Sequence, residues 1–264
     1  MRTNHDIDYK IYGEELQFVE IELDPSETAI AESGAFMMMD NGIEMQTIFG
    51  DGSQQRGGSG LMGKLLSAGK RLLTGESLFM TAFTNMGEGK KRVSFASPYT
   101  GKIIVLDLKL LGGKVIAQKD AFLCAAKGVS IGIEFQRRLG TGIFGGEGFI
   151  MQKIEGDGYA FAHAGGYVVE KELKAGEILK VDTGCVVAYT AGVDFDIEFV
   201  RGIKNFMFGG EGLFFAKLQG PGKVWLQSLP ISRLAGRIMQ YATVNRKEEG
   251  SLLGGLGNLL DGRE

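Results

Sequence analysis

The sequence predicts an all-β protein made of three tandem, diverged copies of one antiparallel β unit around a pseudo-threefold axis, with few short helices. Three observations lead there. Glycine supplies 42 of 264 residues while proline supplies only 4. A set of residues recurs at fixed spacings along the chain. Apolar and polar residues alternate with period two in the segments between the glycines. Glycine at more than twice its usual share of about 7%, without proline, fits tight turns and bulges between short strands rather than a disordered chain.

The recurrence is the strongest of the three. Phe144-Gly145-Gly146-Glu147-Gly148 returns as Phe208-Gly209-Gly210-Glu211-Gly212, 64 residues later. The same spacing carries Lys153 onto Lys217, Gly156 onto Gly220, Gly158 onto Gly222, Gly128-Val129 onto Gly192-Val193 and Ile133 onto Ile197. A first copy lies 86 residues before the second: Ala35-Phe36-Met37 matches Ala121-Phe122-Leu123, and Gly42-Ile43 matches Gly128-Val129. Gly75-Glu76 then answers Gly146-Glu147 and Gly210-Glu211. From hairpin glycine to glutamate the second and third copies use 19 residues and the first uses 34, so the first carries 15 extra residues around 51–73. The units run over roughly 1–85, 86–155 and 156–230, and with a short C-terminal helix they form one domain over 1–245. The Gly- and Leu-rich stretch 246–264 is expected to be a flexible tail.

Within each unit the elements follow from local pattern. Val186 to Phe199 reads as an apolar run, a turn at Ala191-Gly192, and then Val193, Phe195, Ile197 and Phe199 alternating with Asp194, Asp196 and Glu198, a half-buried strand. Asn41-Gly42, Lys127-Gly128 and Ala191-Gly192 fit hairpin turns in which glycine takes positive φ. Gly34, Asp120 and Gly184 occupy equivalent earlier turns, where each residue type tolerates a left-handed backbone. Two segments suit helices, Leu61 to Leu73 and Ser232 to Tyr241. Three antiparallel units can close around an axis, which would remove exposed strand edges.

Composition excludes several functions. A net charge of -3 and a pI of about 5.6 give no basic face for displacing counterions from phosphate, so no nucleic-acid partner is expected. Residues 1–10 are polar, without a secretory h-region or an Arg-rich transit pattern, and no apolar run is long enough to span a bilayer. With Cys124 and Cys185 reading as free thiols in apolar strands, the expected location is the cytoplasm.

Gly75-Glu76-Ser77-Leu78-Phe79 following a Gly- and Leu-rich insertion, the later Phe-Gly-Gly-Glu-Gly copies, and Leu229-Pro230 leading into Ser232-Arg233-Leu234-Ala235-Gly236 resemble the Altered Inheritance of Mitochondria twenty-four family. The resemblance covers nearly the whole chain. It implies a fold similar to the tryptophan RNA-binding attenuation protein, a double-stranded β-helix-like unit triplicated in one chain. The mitochondrial relatives are associated with inner-membrane organisation, the prokaryotic ones have no agreed biochemical activity, and the family supplies no catalytic residues to carry over.

The chemistry-bearing residues are few. Glu76, Glu147 and Glu211 would form a ring of carboxylates under threefold closure, able to hold a cation; as a position repeated in every unit, each more simply braces its own glycine-rich turn by accepting backbone N–H bonds. Metal-dependent catalysis in a β-barrel usually draws on several histidines, and only His5 and His163 exist. A Gly-x-Ser-x-Gly elbow and a phosphate-binding Walker loop are both missing from the sequence. Neither cofactor nor metal is expected. The sharpest lead is the insertion, where Leu61, Met62, Leu65, Leu66, Leu72 and Leu73 recur at helical spacing beside Lys64, Lys70 and Arg71. Its apolar face is expected to meet another subunit or a peripheral membrane surface. The reading that follows is a non-enzymatic, homo-oligomeric scaffold or interaction protein. A small-molecule-binding barrel or weak enzyme, with a pocket between repeats, is the alternative.

Overall fold

The computed structural model describes residues 2–32, 34–49, 79–137, 149–200, 213–239 and 241. They form nineteen strands: β1 Asp8–Tyr12, β2 Phe18–Leu23, β3 Thr28–Glu32, β4 Phe36–Met39, β5 Ile43–Phe49, β6 Phe79–Asn85, β7 Lys91–Ala96, β8 Gly101–Asp107, β9 Lys114–Gln118, β10 Phe122–Ala126, β11 Ser130–Arg137, β12 Phe149–Glu155, β13 Tyr159–Gly165, β14 Val168–Leu173, β15 Ile178–Asp182, β16 Val186–Thr190, β17 Asp194–Val200, β18 Leu213–Gln219 and β19 Gly222–Gln227. One α-helix, α1, covers 231–239, close to the helix expected over Ser232 to Tyr241.

All strand pairs are antiparallel, in four sheets ordered β1-β2-β7-β4, β5-β6-β3-β10-β13-β8, β11-β12-β9-β16-β19-β14 and β15-β18-β17. One pairing scheme occurs three times in chain order. Residues 18–96 give the triplets β5-β6-β3 and β2-β7-β4, residues 101–165 give β11-β12-β9 and β8-β13-β10, and residues 168–227 give β17-β18-β15 and β14-β19-β16. The sequence offsets reappear in the registers. Ala31 pairs with Thr81, Ala117 with Gln152 and Val181 with Ala216. Strands β4, β10 and β16 each break register at one place, between Phe36 and Met38, Phe122 and Cys124, and Val186 and Ala188. Such bulges bend a strand and sharpen its twist.

The triplets are linked through strand edges. β3 pairs with β10, with Ala29, Ile30 and Ala31 opposite Ala126, Ala125 and Cys124. β9 pairs with β16, with Val115, Ile116 and Ala117 opposite Thr190, Tyr189 and Ala188. A closed ring would need a third joint of this kind, between β15 and β4. Among the described residues that ladder is not formed, and the sheets make an open series.

Two apolar clusters fill the space between sheets. The larger runs from Ile7 and Val19 through Phe83, Phe95, Leu106 and Phe161 to Trp225. The smaller gathers Phe149, Met151, Val186, Tyr189, Ile197, Ala216 and Leu218, with Phe195 stacked on Phe149 at 5.7 Å and on Tyr189 at 5.5 Å between ring centroids. Full burial of each such side chain stabilises by about 1.5–3 kcal/mol before ordering costs.

Several turns differ from the sequence expectation. Gly42 and Gly128 do take positive φ, at 98° and 102°. Gly192 does not; a Cβ there would sit 2.7 Å from the Pro221 carbonyl oxygen, so close backbone approach is what requires glycine. Gly34 is left-handed at φ 95°, whereas Asp120 and Gly184 lie in 3-10 turns, Lys119–Ala121 and Thr183–Cys185. Cys185 therefore precedes its strand and is half-buried, while Cys124 is buried within β10.

The N-terminal residues are anchored to the sheets by side-chain and backbone hydrogen bonds. Arg2 donates to both Asp107 carboxylate oxygens, at 3.1 and 2.8 Å, and to the Asp157 carbonyl, and its guanidinium lies 4.3 Å from the centre of the Tyr159 ring. The Asp157 carboxylate accepts from Thr3 N and Asn4 N, and Asn4 Oδ1 accepts from the backbone N–H groups of Asp157 and Gly158. Thr28 N donates to His5 Nδ1 at 2.9 Å, which requires that nitrogen to be unprotonated. The Arg2 guanidinium is the main reason the Asp107 carboxyl is held below its usual range. Arg2→Ala is expected to lower unfolding free energy by about 2 kcal/mol, since it leaves a carboxylate short of its charged partner. Urea denaturation should show this at pH 7. The deficit should shrink as pH falls through the depressed range of Asp107, because that carboxylate stabilises the fold only while ionised.

Candidate functional site

The residues singled out in the insertion, Leu61, Met62, Leu65, Leu66, Lys70, Arg71, Leu72 and Leu73, and the repeated carboxylates Glu76, Glu147 and Glu211 lie outside the described residues. Two other features emerge within them, an apolar strand edge and a buried polar cluster.

The strand edge is β4. Its sequence, Phe36-Met37-Met38-Met39, contains four large apolar residues in succession, and all four are exposed, by 39–49%. Phe36 rests on Phe83 with stacked rings 5.5 Å apart, while exposed Met45 stands across the β5–β6 ladder from the same Phe83. Eight strands occupy sheet edges among the described residues, and β4 alone has neither a charged residue nor proline. Charge on an edge strand discourages pairing with another chain. The edge of β8 is covered instead: Gly101 N donates to the Glu15 carbonyl at 3.0 Å and Ile103 N to Gln17 Oε1 at 2.8 Å.

The polar cluster surrounds His163 in β13, which is 3% exposed. Its ring meets Tyr99 edge-on at 4.6 Å between centroids, and a side chain at Gly101 would run into Nε2. Among the described residues, no hydrogen bond of ordinary geometry reaches either ring nitrogen. Burial lowers its pKa to about 4, and the nearby Tyr99 backbone opposes this only weakly, so His163 is a neutral ring at pH 7. Burial, with the charge of Asp120 adding to it, raises Tyr99 to about 12. Glu32, at the end of β3, is raised to about 7 by burial first and Asp120 second, with Lys119 and the Gln152 amide acting in the opposite direction. Asp120 thus couples electrostatically to both Tyr99 and Glu32, while His163 meets the group through its ring contact with Tyr99. Among the described residues no three His, Cys, Asp or Glu side chains are arranged to hold a metal ion. A separate surface groove is lined by Glu172, Leu173, Lys174, Ala175, Pro221 and Gly222, and neither His163 nor its acidic neighbours reach it.

Sequence reasoning named His163 but missed Glu32 and the edge of β4. Glu32 was detectable as the one charged residue following the apolar run Ala29-Ile30-Ala31. The exposure of β4 had no such signal, because an apolar run reads as buried.

The fold and these features define an all-β protein of edge-linked antiparallel triplets. The chain belongs to the family described as mitochondrial biogenesis AIM24, whose model matches residues 9–229. It is 29% identical over 226 residues to an uncharacterized protein of Streptococcus pyogenes serotype M6, a match covering 84% of this chain and 86% of that protein. It is also similar to the X-ray crystal structure of a Streptococcus pyogenes protein, with a TM-score of 0.68 and 24% identity, over 89% of this chain and 99% of the other. That similarity supports the fold. Among the described residues no helix is long and apolar enough to cross a membrane.

The buried titratable groups give the stability a defined pH dependence. Glu32 ionises near its ordinary value of 4.5 when unfolded and about 7 when folded. The unfolded chain loses that proton first, so stability falls as pH rises from 4.5 through 7. His163 works the other way: the unfolded chain gains a proton first, and stability falls as pH drops from 6.5 towards about 4. Glu32→Gln is therefore expected to be more stable than the parent at pH 8, by on the order of 2 kcal/mol, with little difference at pH 4.5. Chemical denaturation at the two pH values measures this.

Proposed function

We propose that the protein is a non-enzymatic, homo-oligomeric scaffold that works through its strand edges and outer surface. The observation that carries this reading is β4, an apolar, uncharged edge strand with all four side chains exposed. Methionine-rich surfaces are adaptable, because an unbranched, polarizable side chain fits varied partners. An edge of this composition left permanently in water is an aggregation hazard, and natural proteins manage such edges by covering them. A partner chain provides that cover. The two cysteines, one buried and one half-buried with a raised pKa, suit a reducing compartment such as the cytoplasm. Peripheral membrane contact through the expected amphipathic segment at 61–73 would be an additional docking mode.

The small-molecule reading draws on the His163 cluster. That cluster is held by packing and desolvation, which explains its shifted groups without a ligand.

Size-exclusion chromatography with light scattering tests the proposal. The expected mass is a multiple of the 28.5 kDa chain at micromolar concentration. A single species of chain mass across the accessible concentration range would contradict it.

A further inference from the structure

The two internal joints define what a third joint would look like. In the first, Cys124, Ala125 and Ala126 of β10 face Ala31, Ile30 and Ala29 of β3. In the second, Ala188, Tyr189 and Thr190 of β16 face Ala117, Ile116 and Val115 of β9. Each residue of the second joint lies 64 positions beyond its counterpart on β10, and 86 positions beyond its counterpart on β3. The same offsets assign the remaining strands of each kind. Counting 86 back from Cys124 reaches Met38 in β4, and counting 64 forward from Ala117 reaches Val181 in β15.

Burial agrees with the ladders that, among the described residues, each of these strands is paired along one edge only. Phe122, Leu123, Cys124 and Ala125 are all buried, as are Val186, Val187, Ala188 and Tyr189, while the corresponding Phe36, Met37, Met38 and Met39 are all exposed. Strands β3 and β9 are buried along almost their whole length, whereas β15 has Ile178 50% exposed and Lys180 exposed, with Leu179 and Val181 half-buried. The open series therefore begins on one edge and ends on the edge that complements it.

We infer that β4 of one copy of this chain pairs antiparallel with β15 of a second copy, as β10 pairs with β3 and β16 with β9. This rests on the scaffold reading and specifies its interface. The register places Met38 opposite Val181, Met39 opposite Lys180 and Asp40 opposite Leu179. The occupant is a second copy because this chain carries the matching strand, in the register and with the bulge that its own two joints use. Met38 and Val181 are larger than the Cys124–Ala31 and Ala188–Ala117 pairs they correspond to, and flexible methionine accommodates that difference. The contact uses different surfaces on the two copies, so assembly is head to tail. It closes into a ring or extends as a filament according to the rotation per step.

Disulfide trapping tests the assignment. Opposed residues of an antiparallel pair have Cα atoms within disulfide range. Met38→Cys and Val181→Cys are made separately in a Cys185→Ser background, since Cys124 is buried, and are oxidised with copper phenanthroline alone and as a mixture. The mixture should yield a cross-linked dimer that neither variant yields alone, and the double variant should yield a ladder of covalent multimers. In parallel, Met38→Lys should lose every species above the monomer while keeping the parent's melting temperature, because Met38 is already exposed. Dimers from Met38→Cys alone would mean β4 pairs with itself and would overturn the head-to-tail assignment. An exclusively intramolecular disulfide in the double variant would mean the chain closes on itself and would overturn the second copy as occupant. An oligomeric mass with no cross-link in the mixture, or one unchanged by Met38→Lys, would overturn this interface and leave the scaffold reading standing. A parent protein that is monomeric throughout would remove both.

Discussion

Backbone pairing across two strand edges, β3 with β10 and β9 with β16, is the interaction that makes one fold out of separate triplets. Each joint satisfies the edge N–H and C=O groups that an isolated triplet would expose, and each brings together faces that then bury their side chains. Six of the twelve paired joint residues are alanine. Ala29, Ala31, Ala117, Ala125, Ala126 and Ala188 lie at strand crossings buried on both faces, where a larger side chain would hold the layers apart. The bulges in β4, β10 and β16 recur at the same offsets as the joints, so the local bend and the pairing edge are encoded together.

The buried polar residues fit this scheme as structure. Gln227 in β19 accepts from Gly165 N at 2.8 Å and donates to the Gly184 carbonyl at 2.8 Å, linking three segments in the interior. His163, 64 positions earlier, occupies the related place in β13 and stays neutral, packed against Tyr99. A neutral imidazole among apolar strands avoids the large penalty of burying a charge. Glu32, at the end of the first joint, meets the same penalty by ionising only near neutrality.

Much of this architecture was legible in the sequence. The recurring glycines located the turns at Gly42 and Gly128, because glycine placement leaves a local signature, whereas the bulges and pairing partners emerge only from the structure. The helix at 231–239 was legible from Ser232 to Tyr241. The N-terminal clamp was not, since it depends on Arg2 and Asn4 meeting Asp107 and Asp157 more than 100 residues away, and no periodic pattern marks such contacts. The open end was illegible for a different reason. Phe36-Met37-Met38-Met39 has the apolar character of its buried counterparts in β10 and β16, but among the described residues it pairs with β7 alone, whereas β10 and β16 are paired along both edges. Lys180 and Asp182 on β15, where the corresponding strands carry Ile30 and Glu32 or Ile116 and Gln118, are the nearest thing to a signal.

The central claim is that this fold is a series of edge joints whose two terminal edges complete each other. Amide hydrogen exchange of the native protein, followed as a function of protein concentration, addresses it most directly, since edge amides exchange slowly only when they are hydrogen-bonded. The account predicts that peptides covering β4 and β15 gain protection together as concentration rises, approaching that of β10 and β3. Exchange at β4 and β15 that stays fast at every concentration, or protection that appears at one strand without the other, would contradict it.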